Sequence, residues 1–210
     1  MKSLTLYIIM AISIGVIVTF GAIVSFSHIF NPSQPYQPIS ENTPPSMLSL
    51  DVSVNSTQIK AGQGIAMDIV LDNTSPNVLT LRPQHNWPVK QWSILPCLFH
   101  LPFGMALFEG NYSVENMTEG KRLAFYKSGV YMCKTIGIVD YVFQPSSNQA
   151  VIETYNSTNY QVPMQYHVAF DGYYNGQKFQ TLMPGVYTLV GDDEWGHLSI
   201  NHFTVTNSTS

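Results

Sequence analysis

Between Lys2 and Glu41 the chain carries no charged side chain. Inside that interval, the 26 residues from Leu4 to Ile29 are apolar, interrupted only by small or hydroxylated residues until His28. As a helix they would be about 39 Å long, enough to cross a hydrocarbon core of roughly 30 Å with tilt or overhang. The hydroxyls inside the run are tolerated because they can bond to the helix's own carbonyls. A cleaved signal peptide has an apolar core of about 7–15 residues and a small-x-small site behind it. This run is longer, and Ser25-Phe26-Ser27 is the nearest substitute for such a site. The expectation is a signal anchor over 1–30 that stays in the membrane, with a cleaved signal as the alternative. Lys2 and the α-amine place the N-terminus in the cytoplasm and the rest of the chain outside.

The remainder supports export. Six Asn-x-Ser/Thr acceptors follow the apolar run and none precedes it: Asn55, Asn73, Asn111, Asn116, Asn156 and Asn207. Chance placement of the 14 Asn would give about two. Charged residues make up 10% of the chain, with nine basic against thirteen acidic. An average soluble protein has about 25%. Glycans would account for the solubility of so uncharged a surface. The shortage of Lys and Arg excludes nucleic acid as a partner, since neutralising phosphates needs clustered basic groups.

Residues 31–46 hold Pro at 32, 35, 38, 44 and 45. Proline removes amide donors and favours polyproline II, so this segment reads as a semi-rigid spacer of up to roughly 50 Å. A globular domain over 47–206 and a tail over 207–210 complete the organisation.

The domain alternates apolar and polar residues with period two, the mark of half-buried strands. Leu48, Leu50, Val52 and Val54 interleave with polar residues, and after a Gly-rich turn Ile65, Met67, Ile69 and Leu71 repeat the pattern. Further strands are expected at Val78–Leu81, Trp92–Leu98, Met105–Phe108, Val130–Lys134, Ile138–Phe143, Ala150–Tyr155, Met164–Tyr174, Val186–Val190 and Leu198–Thr206. Turn clusters separate them at sandwich-like spacing. The fold expected is all-β, and only 113–124 leaves room for a short helix.

Leu182-Met183-Pro184-Gly185-Val186-Tyr187, followed by two apolar-alternating segments around Gly191–Gly196, resembles the last hairpin of immunoglobulin-like and fibronectin-type domains. The resemblance implies an immunoglobulin-like β-sandwich with a corner at Pro184 and Gly185. There the Tyr187 hydroxyl would bond back to the backbone. The whole pattern is similar to uncharacterised membrane-anchored secreted proteins of archaeal type, a resemblance that imports no activity. The region 83–128 departs from a plain seven-strand pattern and reads as carrying insertions.

Four readings of chemistry follow from residue types and spacing. Cys97 and Cys133, in an oxidising compartment, are expected to pair and to stabilise the fold by about 4 kcal/mol. Alternatively, Cys97, His100 and Met105 have the spacing Cys-x2-His-x4-Met, which resembles the ligand loop of blue copper proteins. A second imidazole would then come from His85, His167, His197 or His202. Against this, some hundred residues follow the loop, and Cys133 would be left over. Asp192, Asp193 and Glu194 with His197 could hold a hard cation, but such a run reads first as the solvated tip of a hairpin. Trp87, Trp92, Trp195 and the many Tyr could line a sugar- or partner-binding face, or simply fill the core and pair across strands. Hydrolase, phosphate-loop and dinucleotide motifs are lacking. The function expected is therefore a non-enzymatic binding or structural module of the cell envelope, without a cofactor. Its partner would be an envelope protein or glycan. The alternatives are a copper or electron-transfer protein and an inhibitor-like sandwich.

Overall fold

The structure is a computed structural model in which residues 45–89, 101–117, 120–125 and 137–208 are described. The chain divides into two compact units, Met1–Pro38 and Ile39–Ser210, and the described residues belong to the second. Among the described residues no helix is long and apolar enough to cross a membrane. The apolar run at 4–29 lies outside them.

The described domain is all-β. Its strands in chain order are β1 (Leu48–Val54), β2 (Gln58–Lys60), β3 (Ile65–Asn73), β4 (Leu79–Leu81), β5 (Phe103–Glu109), β6 (Lys121–Leu123) and β7 (Ile138–Phe143). They continue with β8 (Gln149–Thr154), β9 (Tyr160–Pro163), β10 (Gln165–Phe170), β11 (Gly172–Asn175), β12 (Lys178–Thr181), β13 (Gly185–Asp193) and β14 (Leu198–Thr206). One sheet has the order β1-β3-β10, a second β2-β14-β13-β5-β6, a third β4-β7-β8-β9, and β11 and β12 form a separate hairpin. Most neighbours are antiparallel, but β2 runs parallel to β14. The chain thus leaves the first sheet after β1 and joins the second at β2.

The period-two pattern decides what is inside. On β3, Ile65, Met67, Ile69 and Leu71 are all fully buried. They meet Met105, Leu107, Tyr187 and Leu189 of the second sheet and Tyr141, Phe143 and Ile152 of the third in one continuous core. The first two sheets approach each other closely at Gly191, where a Cβ would lie 2.2 Å from Val52 Cγ1 and 2.9 Å from Ile69 Cδ1. At such distances only glycine fits without moving its neighbours. The second sheet is apolar on its other face too, where Val190, Ala106, Phe108 and Met117 pack with Val89 and Tyr112. The insertions of 83–128 therefore cover a second apolar face, which a plain two-layer fold would leave to solvent.

Several expected boundaries shift. Met164–Tyr174 is two strands, β10 and β11, separated at Asp171, because the chain changes partner from β3 to β12 there. Short strands β2, β6, β9 and β12 carry too few residues to show a period. The segment 113–124 holds a tight turn, closed by the Asn116 and Met117 amides on the Ser113 carbonyl, with a 3-10 position at Met117; residues 118 and 119 lie outside the described residues, and β6 follows. The expected strands at 92–98 and 130–134 lie outside the described residues.

Candidate functional site

The two ends of β13 concentrate the side-chain chemistry of the second sheet. At its beginning, the Tyr187 ring is buried and stacks on Phe203, with centroids 5.2 Å apart. Its hydroxyl donates to the Met183 carbonyl at 2.7 Å, the backward bond characteristic of a tyrosine corner. Burial first, and the Glu109 charge second, push its pKa up to about 12, so it stays a neutral donor. Pro184 and Gly185 form the bend between acceptor and ring.

The other end overturns the expectation of a solvated tip. Strand β13 runs on to Asp193, and Asp192, Asp193, Glu194 and Trp195 are all buried, Asp193 and Trp195 completely. Trp195 explains why: its indole packs edge-to-face against Tyr141 and Phe143 and donates to the Arg82 carbonyl at 2.8 Å. Burying so large a ring carries the adjacent carboxyl groups inward, and each must then find donors. Asp192 Oδ2 accepts the Val89 amide at 2.7 Å. Asp193 Oδ1 accepts the amides of Trp195 at 3.0 Å and His197 at 2.9 Å, an Asx-type turn that lets Gly196 take φ 99°. Asp193 Oδ2 lies 2.7 Å from His197 Nδ1, and His197 Nε2 lies 3.1 Å from the Pro45 carbonyl.

Glu194 is the exception. Its main chain is tied to Asn86 and Pro102. Its carboxyl faces the Tyr141 hydroxyl and the His85 amide, and Oε2 lies 3.7 Å from His85 Nδ1. Oε1 is buried with no partner among the described residues. Burial, then the Asp193 charge, push the Glu194 pKa up to about 8 against the opposing bonds. Tyr141 is likewise raised, by burial and by this carboxyl. Glu194 is thus a carboxyl group that holds its proton near neutrality. His85 is held with φ 55° on the exposed side of it.

The remaining candidates are dispersed. Cys97 and His100, and Cys133, lie outside the described residues, so neither the disulfide nor the copper loop is described. Met105 sits in the apolar core, in register with Gly191. His167 pairs with Asp68 at 2.7 Å on the exposed face of the first sheet, and His202 bonds the Tyr112 carbonyl at 2.9 Å. Among the described residues no group of three or more His, Cys, Asp and Glu is placed to hold a metal. Asp192 and Asp193 are successive residues of β13 and point to opposite faces, while Glu194 lies past the strand's end and turns to Tyr141 and His85. Trp195 is core, Trp87 is half-buried and Trp92 lies outside the described residues.

Of the glycan acceptors, Asn55, Asn111, Asn116, Asn156 and Asn207 are exposed. Asn73 is not: it is 1% exposed, and its amide nitrogen donates to the carbonyls of Asn77 at 2.8 Å and Gln144 at 3.0 Å. Its oxygen accepts the Ser75 amide at 2.9 Å. A glycan on that nitrogen would displace one of these bonds at a buried residue. The residue instead joins the end of β3 to the third sheet.

The missed feature is the inward run at Asp192–His197. The available signal was Trp195 itself, since a tryptophan at a hairpin end needs a core and takes its neighbours with it.

No protein-family model matches the chain, and no curated protein matches it. Seven chains of solved structure do match. One is a β-glucosidase from Listeria innocua in complex with isofagomine, 9% identical, with a TM-score of 0.28. The match covers 85% of this chain and 20% of that enzyme, so the chain spans about a fifth of its length. A likeness at that score carries no argument about fold or activity.

Proposed function

We propose that the chain is a membrane-anchored extracellular module with an immunoglobulin-like β-sandwich, acting in the cell envelope by binding or support rather than by catalysis. The observation that supports this best is where the chemistry-bearing groups spend their bonds. Asp192, Asp193 and His197 each engage the protein's own backbone, and their geometry fastens chain segments together. A catalytic constellation instead leaves a base or nucleophile facing a substrate.

The immunoglobulin-like reading has its own support. The order β1-β3-β10 corresponds to strands A, B and E of such a domain, and β14-β13-β5 to G, F and C. The Tyr187 bond falls at the corner where that reading requires it. On this reading β7, β8 and β9 of the third sheet are an insertion between C and E, and β4 comes from the connection between B and C. Anchoring rests on the apolar run at 4–29 after Lys2, and exposure outside the cell on the acceptors at Asn55, Asn111, Asn116, Asn156 and Asn207. The partner class proposed is an envelope protein or glycan, not nucleic acid. Cys97 and Cys133 are proposed to pair.

Protease added to intact cells should remove the domain and leave a small membrane-bound fragment. Full protection of the domain would overturn the topology, and recovery of the domain from the medium, beginning near His28, would favour the cleaved signal. A thiol titration of the unfolded, unreduced protein should find no free sulfhydryl, and two would reject the disulfide. A pull-down from native membranes should recover an envelope protein or glycan.

A further inference from the structure

The chain enters the folded domain through a tight turn at 45–48. Pro45 is buried, and its carbonyl accepts the Leu48 amide at 2.9 Å as well as facing His197 Nε2. Two residues on, the Met47 carbonyl accepts the Thr74 amide at 2.8 Å and the Thr74 hydroxyl at 3.0 Å. Three of these four bonds come from neutral donors. The fourth comes from a ring whose protonation depends on pH.

Both ring nitrogens of His197 face atoms that only accept: the Asp193 carboxylate and the Pro45 carbonyl. Neutral imidazole has one N–H, so it can satisfy only one of them. The anionic partner is the stronger acceptor and keeps the hydrogen on Nδ1. Nε2 would then turn a lone pair toward a carbonyl lone pair.

We infer that His197 is a proton-operated latch on the segment 45–48, closed while the ring is doubly protonated and released when it becomes neutral. Asp193 holds the ring in place, being itself fixed by the Trp195 and His197 amides. The other ionisable groups of the hairpin are turned to their own partners, Asp192 to the Val89 amide and Glu194 to Tyr141 and His85. The segments 45–48, 73–77 and 101–104 that pack here contribute no charged side chain. With the latch open, the Thr74 bonds to Met47 remain. The latch belongs to the domain's own first turn, so it holds whether or not the residues before it are anchored in a membrane.

The sign follows from the balance of forces on the ring. Burial opposes its protonation, but the bond to Asp193, the Asp193 charge and the Pro45 carbonyl together raise its pKa above the ordinary 6.5. The latch is therefore fully closed below about pH 6.5 and is lost as pH rises through the folded value.

The test uses the full-length protein in detergent micelles with isotope-labelled histidine. Nitrogen NMR should show both His197 ring nitrogens protonated at about pH 5.5 and one at about pH 9. Over the same range the Leu48 amide, corrected for intrinsic exchange, should lose protection by about tenfold or more, the loss of one charge-assisted bond. His197→Gln should abolish that step, while Glu194→Gln should keep it, separating the latch from the neighbouring carboxyl. A singly protonated ring at the lower pH overturns the inference in the wild-type protein alone, even if His197→Gln fails to fold. A pH step in His197→Gln equal to that of the wild type overturns it as well.

Discussion

The two ends of β13 fasten the chain by the same device with opposite electrostatics. At the first, a neutral hydroxyl from Tyr187 reaches back to a carbonyl four residues earlier. At the second, the Asp193 carboxylate and the His197 ring tie the hairpin to its own amides and to Pro45, 152 residues away in sequence from the histidine. A neutral fastener costs little to bury and responds little to pH. A charged one forms stronger bonds, but it makes the fold depend on the proton balance and on the presence of every partner.

The largest expected difference comes from removing the anion. Asp193→Ala strands two backbone amides and a half-buried imidazole, and should lower stability by about 3 kcal/mol in urea unfolding, the lower end of what breaking one partner of a buried pair costs. A loss under about 1 kcal/mol would show that the buried end is no more demanding than the corner.

Next is the pH profile, which belongs to one end alone. Glu194 is pushed up to about 8 from 4.5, and His197 is raised from 6.5. Both groups hold protons more tightly folded than unfolded. Their contributions are therefore present below the unfolded values and lost as pH rises through the folded ones. Stability should fall between about pH 5 and pH 9, by an amount on the order of a few kcal/mol. Glu194→Gln should flatten the part of that decline up to about pH 8. A wild-type profile without a decline would remove the contrast between the ends.

Between the two ends, Gly191→Ala probes the sheet contact rather than either fastener. Its methyl would fall on Val52 and Ile69, and overpacking of that kind costs about 1–3 kcal/mol. Thermal unfolding should shift down by about 2–4 °C per kcal/mol. An unchanged midpoint would mean that the sheets separate readily at this point.

The smallest effect is at the corner. Tyr187→Phe removes one neutral hydrogen bond and should cost about 1 kcal/mol, by the same amount at pH 5 and pH 8. A pH-dependent cost there would break the comparison from the other side.

Much of this fold was legible because burial on one face of a sheet writes itself into the chain as period two. The strands β1, β3, β7 and β14 coincide closely with alternating segments. The short strands β2, β6, β9 and β12 escaped, since three or four residues cannot display a period. The corner at Pro184, Gly185 and Tyr187 was readable because its defining hydrogen bond, from the Tyr187 hydroxyl to the Met183 carbonyl, is local. The clamp was not, for two reasons. Three consecutive acids ordinarily mark a solvated turn, and the groups that face Asp192 and Glu194 here, the Val89 amide and the Tyr141 hydroxyl, come from distant parts of the chain, as does the Pro45 carbonyl that faces His197. Asn73 was misleading in the same way: its acceptor motif is local, but the Gln144 carbonyl that occupies its amide lies 71 residues on.

By itself the sequence determined the all-β class, the principal strands and the local corner, because alternation and turn chemistry depend on near neighbours. Tertiary structure alone decided that Gly191 must be glycine and that Asp192, Asp193 and Glu194 face inward. It also decided that the first turn of the domain rests on a histidine near its end. These depend on which sheet packs against which and on where Trp195 finds its core, and a low dielectric then forces every buried carboxyl to find a donor or to keep its proton.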